Sequence, residues 1–150
     1  MVTLLRHATS LFNAQGLHLR DIDITENGKQ DCKRISGNYD LVICSTLKRA
    51  RQTLDNTTVI YENLVFTDLC REYLDGNIIN YYNGETATRE TLAQLKSRIA
   101  SFKMMLHEYS VKYKNILVIS HYGFLKELCG LHFDNLAMIK VDTNTFRKIE

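Results

Sequence analysis

Three short apolar runs constrain this chain more than any other feature, because each stops abruptly at polar residues. Residues 2–5, residues 41–44 (Leu41, Val42, Ile43, Cys44) and residues 116–119 (Ile116, Leu117, Val118, Ile119) show neither a helical period nor strict alternation. Such unalternating runs suit strands buried on both faces of a sheet. Stretches of helical character lie between them: one beginning near the N-cap candidate Thr25, one from about Leu47 to Leu54, and a long one from about Thr86 to Lys112. In the last, Leu92, Leu95, Ile99, Phe102 and Leu106 recur three or four apart, the stripe of an amphipathic helix. Strands alternating with helices predict an α/β three-layer sandwich, a mainly parallel central sheet with helices on both faces.

Two further segments carry weaker patterns. Ala137 to Ile149 reads as two short strands around the turn-prone Asp142, Thr143 and Asn144, an antiparallel edge. Residues 73–85, rich in glycine, tyrosine and asparagine, read as a surface loop long enough for a lid or a substrate rim. At 150 residues the chain suits one domain, 1–150, with one core. No proline is present, so helix ends are set by glycine, asparagine and side-chain caps.

Charge and cysteine usage narrow the partners. The 19 basic and 17 acidic residues are scattered, and a net charge of +2 creates no field that would make nucleic acid the main partner. Cys32, Cys44, Cys70 and Cys129 lie far apart with no CxxC pair, which argues against a zinc site and a disulfide framework and for reduced, mostly buried thiols. The run from Val2 to Leu5 is broken by Arg6 and His7, too short for a signal segment or a membrane span. The expected compartment is the cytoplasm, with no membrane partner.

In open α/β sheets the ligand site lies beyond the carboxyl ends of the strands. The first run leads into Arg6-His7-Ala8-Thr9, the second into Ser45-Thr46-Leu47-Lys48-Arg49-Ala50, and the third into Ser120-His121-Tyr122-Gly123. Parallel neighbours would bring these ends together. Their shared chemistry fits phosphate: a guanidinium offers a planar fork to phosphate oxygens, a neutral imidazole is a nucleophile, and a second imidazole can donate a hydrogen bond.

With these residues in view, the sequence resembles the histidine phosphatase superfamily, also called the phosphoglycerate mutase-like family. The likeness is carried by Arg6-His7-Ala8-Thr9 with Asn13 and Gly16, and by Asp21, Thr25, Glu26 and Gly28. It continues through Ser45, Leu47, Arg49, Ala50 and Thr53, through Leu69, Glu72 and Gly76, through Gly84-Glu85-Thr86 as the entry to the following helix, and through Val118 to Gly123. Two departures stand out. Ala8 replaces the family's usual glycine beside the expected phosphate, and residues 77–83 lack the Trp-Glu-Gly often found there.

The resemblance implies a phosphomonoesterase that passes a phosphoryl group from a small phosphorylated substrate to His7 and then to water, without metal or cofactor. His7 would attack phosphorus while Arg6, Arg49 and His121 hold the non-bridging oxygens. Its other ring nitrogen should donate to a backbone carbonyl. Glu72 is the candidate general acid, with an exposed carboxylate paired to Arg71 as its structural alternative. Asn13 and Thr9 either add hydrogen bonds to phosphate or serve as turn and cap residues. Lys48 and Arg51 read as a solvated face, and His18, His107 and His132 have no supporting motif. The compact chain favours a hydrolase over a mutase; a phosphoglycerate mutase, a protein phosphohistidine phosphatase and a non-catalytic phosphate-binding module are the alternatives.

Overall fold

The computed structural model describes residues 1–11, 22–73, 81–82, 85–86 and 90–149. The three apolar runs are strands β1 (Val2–Arg6), β2 (Asn38–Ser45) and β6 (Ile116–Ser120). They join β3 (Ile60–Thr67) and β7 (Met138–Val141) in a five-stranded sheet of order β3-β2-β6-β1-β7. All neighbours run parallel except β7, which is antiparallel to β1. β6 therefore lies between β1 and β2, with Arg6 in register with Ser120 and Cys44 with Ile119. That register brings the three polar strand ends to one edge of the sheet.

Burial on both faces explains why these strands show no alternation. On one face Leu4, Leu41, Ile43, Ile116 and Val118 pack against Leu95, Ile99, Phe102 and Leu106 of α3 (Leu92–Lys112) and Phe124 and Leu125 of α4 (Tyr122–Cys129). On the other, Leu5, Val42, Cys44, Leu117 and Ile119 meet Cys32 of α1 (Glu26–Cys32) and Ala50 and Leu54 of α2 (Lys48–Asn56). Each fully buried Leu, Ile or Phe contributes about 1.5–3 kcal/mol relative to exposure. Thr25 caps α1 as expected, its hydroxyl accepting from the Gly28 N–H.

Several expectations need correction. The long helix starts at Leu92, not near Thr86, because Thr91 and Gln94 form a reciprocal capping box there. Glu85–Thr86 instead pairs with Tyr81–Tyr82 as a two-stranded hairpin, β4 and β5, within the segment read as a loop. Leu92, counted in the apolar stripe, is 46% exposed at the first helical turn, whereas Leu95, Ile99, Phe102 and Leu106 are buried. The tail forms the antiparallel edge strand β7, but its return is an isolated bridge, Val141 to Lys148, and not a second strand. β3 has no counterpart among the sequence-predicted strands, since Glu62 and Asn63 interrupt its apolar character and an edge strand is only half-buried. Cys32, Cys44 and Cys70 are buried free thiols, and Cys129 is half-buried. Among the described residues no helix is long and apolar enough to cross a membrane.

Candidate active site

His7 follows β1 and is held by its main chain before its ring is considered. Its N–H donates to the Ser120 carbonyl at 3.0 Å, and its carbonyl accepts from Asn135 Nδ2 at 3.1 Å. The ring Nδ1 lies 2.6 Å from the Ala8 carbonyl oxygen. A carbonyl only accepts, so Nδ1 carries the proton and Nε2 keeps its lone pair, the arrangement expected of a nucleophilic imidazole. Burial, reinforced by the charges of Arg49 and Arg6, pushes His7 well below the usual histidine range. The ring is neutral at pH 7.

His121 stands between the end of β6 and the start of α4. Its ring centroid is 5.1 Å from that of His7, with the planes inclined by 55°. Nε2 is 2.8 Å from Ser45 Oγ, and the buried Nδ1 has no hydrogen-bond partner among the described residues. Burial first, then Arg49, His7, Arg98 and Arg6, push this imidazole well below its ordinary value too. Two neutral imidazoles therefore lie side by side under the influence of the same arginines.

Arg6, the last residue of β1, donates from Nη1 to the Phe133 carbonyl at 2.8 Å, and its guanidinium lies 5.3 Å from the centre of the Tyr122 ring. Its buried Nε has no partner among the described residues. Burial pulls Arg6 below its ordinary value, opposed by Glu72, Asp134 and Tyr122. Arginine nevertheless stays cationic. Arg49 sits in the first turn of α2, half-buried, and after burial its charge weighs most on both imidazoles. Thr53 ties the two segments together: its hydroxyl donates to the Arg49 carbonyl at 2.7 Å and accepts from the Ala8 N–H at 2.9 Å.

Glu72 is neither fully exposed nor engaged with Arg71, whose Nη1 donates to the Asp68 carbonyl at 3.3 Å. Its Oε1 accepts from the Tyr73 N–H at 2.8 Å and from the Phe124 N–H at 3.1 Å, capping the first turn of α4. Gly123 permits this approach, since a Cβ there would lie 2.6 Å from Oε1. The Thr9 carbonyl accepts from the Thr25 N–H at 2.9 Å. Asn13 and His18 lie outside the described residues. Lys48 and Arg51 are exposed, as are His107 and His132.

Sequence reasoning missed Arg98 and Glu90. Arg98 donates from Nη1 to the carbonyls of Leu69 and Arg71, each at 2.9 Å, and from Nη2 to that of Glu72 at 3.4 Å. It therefore anchors the main chain that carries Glu72. The available signal was a charge set within the apolar stripe, three residues after Leu95 and four before Phe102. Ala8, the departure from the family pattern, is fully buried in the apolar cluster beside α1 and α2.

The arrangement offers a neutral imidazole with a bare Nε2, a second imidazole whose Nδ1 has no partner among the described residues, two guanidinium groups and a carboxylate. Buried polar groups without partners are few in folded proteins and call for an explanation. Two of them here, Arg6 Nε and His121 Nδ1, belong to residues of this pocket.

The family model of the histidine phosphatase superfamily (branch 1) matches residues 2–72. No curated protein matches the sequence. Among solved structures, Rv3214 from Mycobacterium tuberculosis is similar with a TM-score of 0.72 and 17% identity, over 99% of this chain and 95% of that one. Phosphoserine phosphatase from Entamoeba histolytica, in complex with 3-phosphoglyceric acid, gives 0.69 and 19%, over 92% and 88%. The α-ribazole phosphatase from Shigella flexneri gives 0.67 and 19%, over 97% and 92%. At these identities the structures speak for the fold, and the family model speaks for the sequence. Residues 2–72 match the family model of the histidine phosphatase superfamily, and the fold is shared with these structures across nearly the whole chain.

Proposed function

We propose that this protein is a phosphomonoesterase acting on a small phosphorylated substrate through a phosphohistidine at His7. The observation that carries the reading is the pairing of His7 and His121, two buried imidazoles 5.1 Å apart, with the proton of His7 engaged by the Ala8 carbonyl. His7 Nε2 supplies the electron pair that forms the N–P bond, and the ester P–O bond breaks. Arg6, Arg49 and His121 hold the non-bridging oxygens and balance their charge, so no step needs a metal. Glu72 gives a proton to the departing oxygen; because Oε1 is occupied by two backbone N–H groups, Oε2 is the oxygen that carries it. Water then attacks phosphorus, the N–P bond breaks, and Glu72 takes the proton back. Asn13 and Thr9 are proposed as auxiliary phosphate contacts.

Hydrolysis is favoured over mutase chemistry by the kinship in fold with the phosphoserine and α-ribazole phosphatases. Four free cysteines suit a reducing compartment, and we place the protein in the cytoplasm. The test is release of inorganic phosphate from p-nitrophenyl phosphate, with and without EDTA, by the wild type and His7→Ala. Turnover that survives EDTA and disappears with His7→Ala is expected. Failure of the wild type on every phosphoester in a metabolite panel would leave a phosphate-binding module instead.

A further inference from the structure

We infer that Ser45 is a positioning residue whose hydroxyl holds His121 in the Nδ1–H tautomer, so that this imidazole meets an anion as a donor and not as an acceptor. Ser45 closes β2, is fully buried, and stands beside the end of β6. Its Oγ accepts from the Leu47 N–H at 3.3 Å. The hydroxyl proton needs an acceptor of its own, and His121 Nε2 at 2.8 Å is the one within reach among the described residues. A proton donated to Nε2 leaves that nitrogen bare, and a neutral ring must then carry its own proton on Nδ1.

The opposite tautomer fails on two counts. It strips the Ser45 hydroxyl of its acceptor, and it turns an Nδ1 lone pair on any anion drawn in by the arginines whose charge this ring feels. Nδ1 is also the ring nitrogen with no partner among the described residues. As a donor it fits a phosphoryl oxygen; as an acceptor it would repel one. The logic matches that of histidine metal ligands, where the hydrogen bond to one nitrogen decides the state of the other.

The tautomer can be tested separately from the proposed function, whereas its consequence for turnover rests on that function. Two-bond proton–nitrogen correlation spectra of the full chain labelled with 15N-histidine, at pH 7.5, separate protonated from bare ring nitrogens; His121→Gln identifies the signals. The wild type is expected to show Nδ1–H at His121. Ser45→Ala should shift the ring towards Nε2–H and weaken binding of inorganic phosphate about tenfold, as for a competent form reduced to about one part in ten. Ser45→Thr, which keeps the hydroxyl, should restore both. An Nε2–H or doubly protonated ring in the wild type overturns the inference and needs no folded variant to do so. An unchanged spectrum and phosphate affinity in Ser45→Ala overturns it as well. Loss of the phosphatase reading would appear as absent turnover with the wild-type tautomer still measurable.

Discussion

Arg98 grips Glu90 through two hydrogen bonds, Nε to Oε2 at 2.8 Å and Nη2 to Oε1 at 2.7 Å, with both side chains buried. The same guanidinium lies 5.2 Å from the centre of the Phe124 ring and binds three carbonyls of residues 69–72. Removing the carboxylate leaves a buried cation without its counter-charge. Glu90→Ala should therefore lose about 3–5 kcal/mol in urea unfolding. A loss below about 1 kcal/mol would show that the ion pair does not hold this corner of the fold.

Gly123 leaves room for Glu72, and the two contacts that fix Oε1 make that room functionally sensitive. Gly123→Ala places a methyl 2.6 Å from Oε1 and 3.3 Å from Tyr73 Cβ, so the carboxylate must turn away. Alanine is the better helix former by about 1 kcal/mol, but the displaced carboxylate gives up its bonds to the Tyr73 and Phe124 N–H groups, so stability should fall by about 1–2 kcal/mol net. Turnover should fall about tenfold to a hundredfold, as displacement of a reacting group near 1 Å does. Steady-state kinetics and a melting curve on the same sample check the pair; unchanged turnover would detach Glu72 from the chemistry.

His7 and His121 both have folded-state values well below the histidine norm, chiefly through burial. The unfolded chain then binds more protons than the native one once pH drops below about 6.5, so stability should fall with pH from there downward. Each such histidine contributes a slope of at most about 1.4 kcal/mol per pH unit. Urea unfolding at pH 7.5 and 5.5 should show the loss, and His121→Gln should reduce it. Equal stability at the two pH values would mean that the rings are not held neutral. For the same reason, formation of the proposed phosphohistidine should not decline between pH 7 and 6 through protonation of His7.

Ala8 is fully buried in the apolar cluster that also holds Leu5, Ile24 and Ala50, on the α1 and α2 side of the sheet. Ala8→Gly, which restores the family's common residue, removes a buried methyl and loosens the unfolded chain. Stability should drop by about 1–2 kcal/mol with turnover kept within about twofold. A large gain in activity from glycine would instead place the methyl in the path of the substrate.

Much of this architecture was readable from the chain. Strand segments buried on both faces are apolar on both, so the inner parts of β1, β2 and β6 announced themselves without alternation, and each ended in its own share of the candidate site. The stripe on α3 was equally clear. Less was visible where tertiary contacts outweigh local pattern: β3 is an edge strand with Glu62 and Asn63 inside it, and the start of α3 depends on reciprocal caps between Thr91 and Gln94.

By itself, the sequence determined which chemical groups are present and that they stand at strand ends, since residue type and hydrophobic period are local properties. Only the tertiary structure decided that β6 lies between β1 and β2, which brings His121 within 5.1 Å of His7. It alone decided that Glu72 caps α4 under the hold of Arg98, and that Ser45 faces His121 across 76 residues of chain. Those relationships arise from strand order and helix packing. Their energies come from contacts between segments far apart in sequence, which no local window contains.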